Sequence, residues 1–206
     1  MYMKDPMGIE LKSMEIIEED LGRTSFSSKE KVIVKRMIHT TGDFDYKDIV
    51  VFQEDFVNIA LDTIKSRGVF FADTKMATMG INKKALERAS WEVRCFIDDE
   101  DVFRGARERQ TTRSACAVEK AVDEGIDAFI IGNAPTALFR LLELVGEKKV
   151  KPRFIIGVPV GFVGAAESKA YLREFPIPAI STLGNKGGSN VAASVVNALL
   201  YMAVGR

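Results

Sequence analysis

The chain has 206 residues, 29 of them basic and 29 acidic, so its formal net charge is zero, and 47% of it is hydrophobic. That balance argues against a nucleic-acid binder, whose basic face tilts the total, and a chain of this length reads as one domain, residues 1–206, since ~100–200 residues per domain is usual. Cys95 and Cys116 are too few and too scattered for a disulfide framework or a zinc site. The N-terminus lacks the apolar core of a signal peptide. The longest apolar run, near the C-terminus, is shorter than the ~20 residues a membrane span requires. The expectation is a cytoplasmic protein without membrane or nucleic-acid partners.

In chain order, the N-terminal third is helical. In SFSSKEKVIVKRMIHTTGD, Ser27 is followed three residues later by Glu30, a capping-box pattern. Ile33 with Met37 and Val34 with Ile38 form an apolar stripe, and Gly42 is a natural stop. A second helix, DFVNIALDTIKSR, ends before Gly68. From there apolar, β-branched or aromatic runs alternate with helical patterns. GVFFAD, WEVRCFI, DAFIIGN, RFIIGVPVG and PAISTLG read as five strands. TRSACAVEKAVDEG, PTALFRLLELVGEK, GAAESKAYLREF and GSNVAASVVNALLYMAV read as the later helices. Alternation of this kind implies a mostly parallel sheet covered on both faces. Ligands of such sheets bind outside the carboxyl ends of the strands, where Asp73, Asn133 and several glycines fall.

His39 is the only histidine. It shares a helix face with Arg36, three residues earlier. The last turn of a helix favours imidazolium over imidazole by up to ~2 kcal/mol; Asp43 and Asp45 push the same way, while Lys35 and Arg36 oppose them. Two readings stand: a general acid, or a histidine that stabilises its own helix. The glycines of GVPVGFVGAAESK and GNKGGSN fit either an anion-cradling turn or simple chain reversal; neither stretch matches a G-x-G-x-x-G or GK[ST] pattern. Arg113 opens a helix, where a guanidinium suits carboxylates, but by itself it reads as solvated surface. The cysteines read as packing.

RMIHTTGD, GNAPTALFRLLEL, GVPVGFVGAAESK and GNKGGSN together resemble the precorrin-8X methylmutase family, which includes the cobalt-precorrin-8 methylmutases, over nearly the whole chain. The resemblance implies a flavodoxin-like three-layer α/β/α fold, with a mostly parallel five-stranded sheet and additional N-terminal helices. It also implies a homodimer, no cofactor and no metal site. The activity it implies is migration of a ring C methyl group of a corrin precursor from C-11 to C-12, a 1,5-sigmatropic shift. The family's catalytic histidine falls on His39, and its substrate contacts on Ser13, Arg36 and Arg113, with Asp73 and Asn133 at matching strand ends. The competing readings are a carrier that binds a tetrapyrrole intermediate unchanged and a nucleotide-dependent enzyme using the glycine turns. The presence of cobalt in the substrate is left open.

Overall fold

The computed structural model describes residues 4–205; the first three residues and Arg206 lie outside them. Its elements in chain order are α1 (Pro6–Leu21), α2 (Ser28–Thr41), α3 (Tyr46–Ile49), β1 (Val50–Gln53), α4 (Phe56–Ile64), β2 (Gly68–Ala72), α5 (Lys75–Gly80), α6 (Lys83–Ala89), β3 (Trp91–Arg94), α7 (Glu100–Glu108), α8 (Arg113–Asp123), β4 (Ala128–Ile131), α9 (Pro135–Gly146), β5 (Phe154–Gly157), α10 (Ala165–Leu172), β6 (Ala179–Thr182) and α11 (Ser189–Val204).

The sheet has six strands in the order β1-β6-β5-β4-β2-β3. The five expected strands, β2 to β6, are parallel to one another. Numbered among themselves they run 2-1-3-4-5, the flavodoxin-like order. The sixth, β1, was not anticipated: it pairs antiparallel with β6, setting Val50 opposite Thr182 and Gln53 opposite Ala179. Order reverses between β2 and β4, so the switch-point crevice opens where those two strands end.

Because successive strand residues point to opposite faces, the sheet feeds two cores. Phe70, Ile130, Phe154, Ile156 and Ile180 face α11 and the N-terminal helices. Phe71, Phe129, Ile131, Ile155 and Ala179 face α8, α9 and α10. Helix α11 lies against the sheet and is covered in turn by α2, α4, α5 and α6, while α1 packs on α2. This explains why α11 is apolar nearly all round, with Val191, Val195, Val196 and Leu200 all buried.

Local chemistry sets the ends of α2. The Ser27 hydroxyl accepts from the Glu30 amide and the Glu30 carboxylate accepts from the Ser27 amide, so the capping box is complete. Gly42, at φ +66°, closes the helix with its N–H on the Ile38 carbonyl. α1 begins with the Asp5 side chain accepting from the Met7 and Gly8 amides and with Pro6 in the first turn.

Candidate functional site

The strands β2 and β4 are joined at their carboxyl ends by Asp73. Its carboxylate accepts backbone N–H groups of Gly132, Asn133 and Ala134 at 3.0, 2.8 and 2.8 Å. The residue is only 1% exposed. Burial pushes its carboxyl above the usual carboxylate range, and the three amides pull it back. Asp73 therefore shapes the floor of the crevice, and both its oxygens are engaged within the protein. Next to it the Thr74 and Ser189 hydroxyls bond at 2.7 Å, tying β2 to the first residue of α11. Asn133 donates its backbone N–H to Asp73, while the residue as a whole is exposed at the crevice.

Arg113 stands at the mouth of this crevice, at the start of α8. Its guanidinium lies 4.5 Å above the Phe103 ring and 3.7 Å from Asp98, which also pairs with Lys75 of α5. About half its side chain is exposed, so its charge is oriented yet accessible. Apolar side chains stand out on the loops and helices of the same edge: Met76, Met79, Phe162 and Val163 are 70, 69, 92 and 90% exposed. Large exposed apolar groups of this kind mark binding surfaces.

Ser13, Arg36 and His39 lie on the α1–α2 pair. Arg36 is ion-paired with Glu10 at 3.2 Å and sits 5.5 Å from the centre of the Tyr201 ring. With Thr40, Gly80, Asn190, Ser194, Asn197 and others it lines a hollow of about 210 Å³ between α2, α5 and α11. The Ser13 hydroxyl, one turn along α1 from Glu10, donates to the Ile9 carbonyl at 2.8 Å. His39 is exposed in the last turn of α2, and among the described residues nothing pairs with its imidazole. A larger hollow, about 340 Å³ and lined by Ser28, Gln53 and Asn58, lies at the opposite end of α2 and contains none of these residues.

The two groups of residues meet through α11. Its first turn touches Thr74 through Ser189 and borders the Arg36 hollow through Asn190. The loop before it reaches α2 as well: the Lys186 ammonium bonds Asp43 and Asp45, each at 2.6 Å. That contact holds the Asp43 carboxyl below the usual range, chiefly through the Lys186 hydrogen bond and then the Asp45 amide, and raises Lys186.

Lys186 was visible in the sequence only as a basic residue among glycines; its partners lie 143 and 141 residues away. Lys169 was not singled out at all. It is fully buried, and its ammonium donates to Thr182 Oγ1 at 3.0 Å and to the Lys186 carbonyl at 2.8 Å. A lysine in an otherwise helical pattern gives no sign that it points inward. Among the described residues no group of three His, Cys, Asp or Glu side chains is arranged to hold a metal ion, and no helix is long and apolar enough to cross a membrane.

The topology defines a doubly wound α/β protein whose N-terminal helical pair, carrying one histidine and one arginine, packs through α2 on α11, the helix that begins beside Thr74. Within that class, the chain belongs to the precorrin-8X methylmutase family, whose sequence model matches residues 8–202. It is 46% identical to a cobalt-precorrin-8 methylmutase of Salmonella typhimurium, with 97% of each chain covered. It is 40% identical to one of Priestia megaterium, covering 96% of this chain and 88% of that protein. A crystal structure of precorrin-8X methylmutase from Thermus thermophilus superposes with a TM-score of 0.87 at 34% identity, covering 95% of this chain and 97% of that one. Members of the family are isomerases of corrin biosynthesis.

Proposed function

We propose that the chain moves the ring C methyl group of precorrin-8X or cobalt-precorrin-8 from C-11 to C-12, giving hydrogenobyrinate or cobyrinate. The family match over residues 8–202 carries this reading. The methyl breaks its bond to C-11 and forms one to C-12 while the ring's π electrons relocate, so no atom is gained or lost. Such a shift calls for an oriented ring and a change in its electron distribution. His39 is the proposed general acid, its imidazolium donating to a ring nitrogen and drawing electron density toward it. Its exposed place in the last turn of α2 leaves the imidazole open to a ligand and supports this role. General-acid catalysis supplies ~10²–10⁴-fold, and holding a rigid ring in register adds to it.

Arg36 and Arg113 are the proposed carboxylate contacts, with Ser13 and Asn133 as polar partners and Asp73 shaping the crevice they border. Arg36 would exchange part of its contact with Glu10 for substrate. A tetrapyrrole outsizes the 210 Å³ hollow at Arg36, and Met7 and Leu11 of α1 are 74 and 62% exposed. Both features support a homodimer in which a second copy completes the enclosure. The proposed setting is the cytoplasm. The names of the Salmonella and Priestia relatives favour the cobalt-bearing substrate.

The test is incubation of the purified chain with each substrate, reading visible absorption and product mass. Conversion to an isomer of unchanged mass and altered spectrum is expected. Tight binding without a new compound would replace the enzyme by a carrier. His39→Ala should stop turnover and leave binding intact; undiminished turnover would end its assignment as the acid.

A further inference from the structure

The loop between β6 and α11 is held more firmly than a connection requires. The Lys186 carbonyl accepts two bonds, from Lys169 Nζ at 2.8 Å and from Thr182 Oγ1 at 2.6 Å. Gly187 is pressed so closely on β5's exit that an added Cβ would lie 2.1 Å from the Val158 carbonyl oxygen. The Gly188 amide bonds the same oxygen at 3.0 Å, and the Asn185 carbonyl accepts from Gly161 at 3.1 Å. The backbone from which the Lys186 side chain departs is thereby fixed.

That side chain ends on Asp43 and Asp45. The two carboxylates are themselves ordered, because Asp43 Oδ1 accepts the Asp45 amide at 3.0 Å and the Asp43 amide donates to Thr41 Oγ1 at 3.2 Å. Both residues directly follow the last turn of α2, which carries His39. The same segment is bound to β6 from the other side, through the Leu183 amide on the Ile49 carbonyl at 2.8 Å and the pairing of Val50 with Thr182. Thr182 thus touches β1, Lys169 and the loop at once. Lys169 has no carboxylate within ion-pair distance among the described residues, so its burial serves the loop and not a charge pair.

We propose that Lys169 and Lys186 are positioning residues for His39: Lys169 clamps the 184–188 loop, and Lys186, held by that clamp, fixes the final turn of α2 through Asp43 and Asp45. This rests on the reading of His39 as the proton donor. The expected consequence follows from geometry, since small misplacement of a catalytic group costs up to ~10²-fold in rate.

Lys186 is partly exposed, so its removal spares the core. In the tag-free chain the one imidazole gives one histidine signal by NMR, a readout independent of substrate. Lys186→Ala should broaden or double that signal and lower kcat about tenfold with little change in KM, and Lys186→Arg should restore both. Asp43→Asn with Asp45→Asn should do the same as Lys186→Ala, and the triple variant should be no worse than either. A sharp, single imidazole signal in Lys186→Ala, with turnover kept, would overturn the proposal. So would a rise in KM alone, or additive losses in the triple variant, because either would mean that Lys186 meets substrate directly. His39→Ala run alongside separates the two ideas. If it still turns over while the imidazole signal responds to Lys186, the acid assignment falls and the clamp stands.

Discussion

Burying Lys169 without a counter-charge has a measurable consequence for stability. Desolvation, helped by the like charge of Arg173, pulls its pKa from 10.5 down to about 8. Between those values the unfolded chain holds the proton and the folded chain does not. Stability therefore rises with pH across this window, and the full penalty is present below about pH 8. At ~1.4 kcal/mol per tenfold change in proton affinity, the penalty is roughly 3 kcal/mol. The neutral amine keeps two N–H groups for its two acceptors, so the fold loses no contact as the proton leaves. Lys169→Met puts an unbranched apolar chain in the same place. It abolishes the titration, and the Lys186 carbonyl keeps its bond from Thr182. Near neutral pH the two lost hydrogen bonds, ~1.5–3 kcal/mol each when charge-assisted, offset the relieved penalty or exceed it. Urea unfolding followed by circular dichroism at pH 7.5 to 10.5 gives the assay. Wild-type stability minus that of Lys169→Met should climb by roughly 3 kcal/mol over this range, other titrations cancelling in the difference. A flat difference would refute the claim that the folded chain holds a desolvated ammonium there.

Asp73→Asn leaves one acceptor oxygen and turns an NH₂ toward amides that also donate. At least one N–H of Gly132–Ala134 loses its partner, which should cost ~1–3 kcal/mol in urea unfolding; an unchanged midpoint would remove Asp73 from its structural role. Gly187→Ala meets the Val158 carbonyl at 2.1 Å. Because backbone and not a flexible side chain opposes it, destabilisation should reach at least ~1–3 kcal/mol, with hydrogen exchange quickened at the Gly188 amide. Ser27→Ala breaks the capping box at the end of α2 remote from His39. A loss of ~1 kcal/mol in stability is expected, with turnover unaltered in the methyl-shift assay.

Four of the parallel strands were legible because each is a short apolar run bounded by Gly, Asp or Pro, β3 because Trp91 and Val93 alternate with charged residues, and helix α2 because its cap, stripe and stop all agree. β1 was not legible for a physical reason: VVFQ is four residues long, lacks a glycine or proline at either border, and is a strand only by pairing with β6. α1 carries a start signal in Asp5-Pro6 that an acidic, weakly striped sequence obscures; only Ile17 and Leu21 are buried. α7 lies within DDEDVFRGARERQ, where only Val102 and Ala106 are buried and no continuous apolar stripe marks a helix, although its acidic first turn and Arg107 near its end suit a helix dipole. At the site, His39 and Arg36 could be placed on one face by spacing alone. Asp73 could be placed at a strand end, but its three bonds to amides some sixty residues away could not.

These limits follow from how the site is assembled. The doubly wound part of the chain contributes backbone amides, short hydroxyls and Asp73 at the switch point, and no imidazole. The histidine arrives on an N-terminal appendage whose relation to the sheet is set by the packing of α2 on α11 and by contacts of residues 36–53 with residues 172–201. Those contacts are of different kinds: β pairing at Val50 and Thr182, an amide bond from Leu183 to Ile49, ion pairs from Lys186, and the Arg36–Tyr201 stacking. Backbone pairing alone fixes the segment along the β6 direction and leaves the rotation of α2 about its own axis to side chains. Packing of Ile33, Val34, Met37 and Ile38 against the core sets that rotation coarsely. The charged contact at the helix end refines it, at the turn where the imidazole departs. Under the proposed reading of His39, an acid that must reach one nitrogen of a rigid ring needs both constraints, and the anchor bridging some 140 residues of chain would supply the second of them.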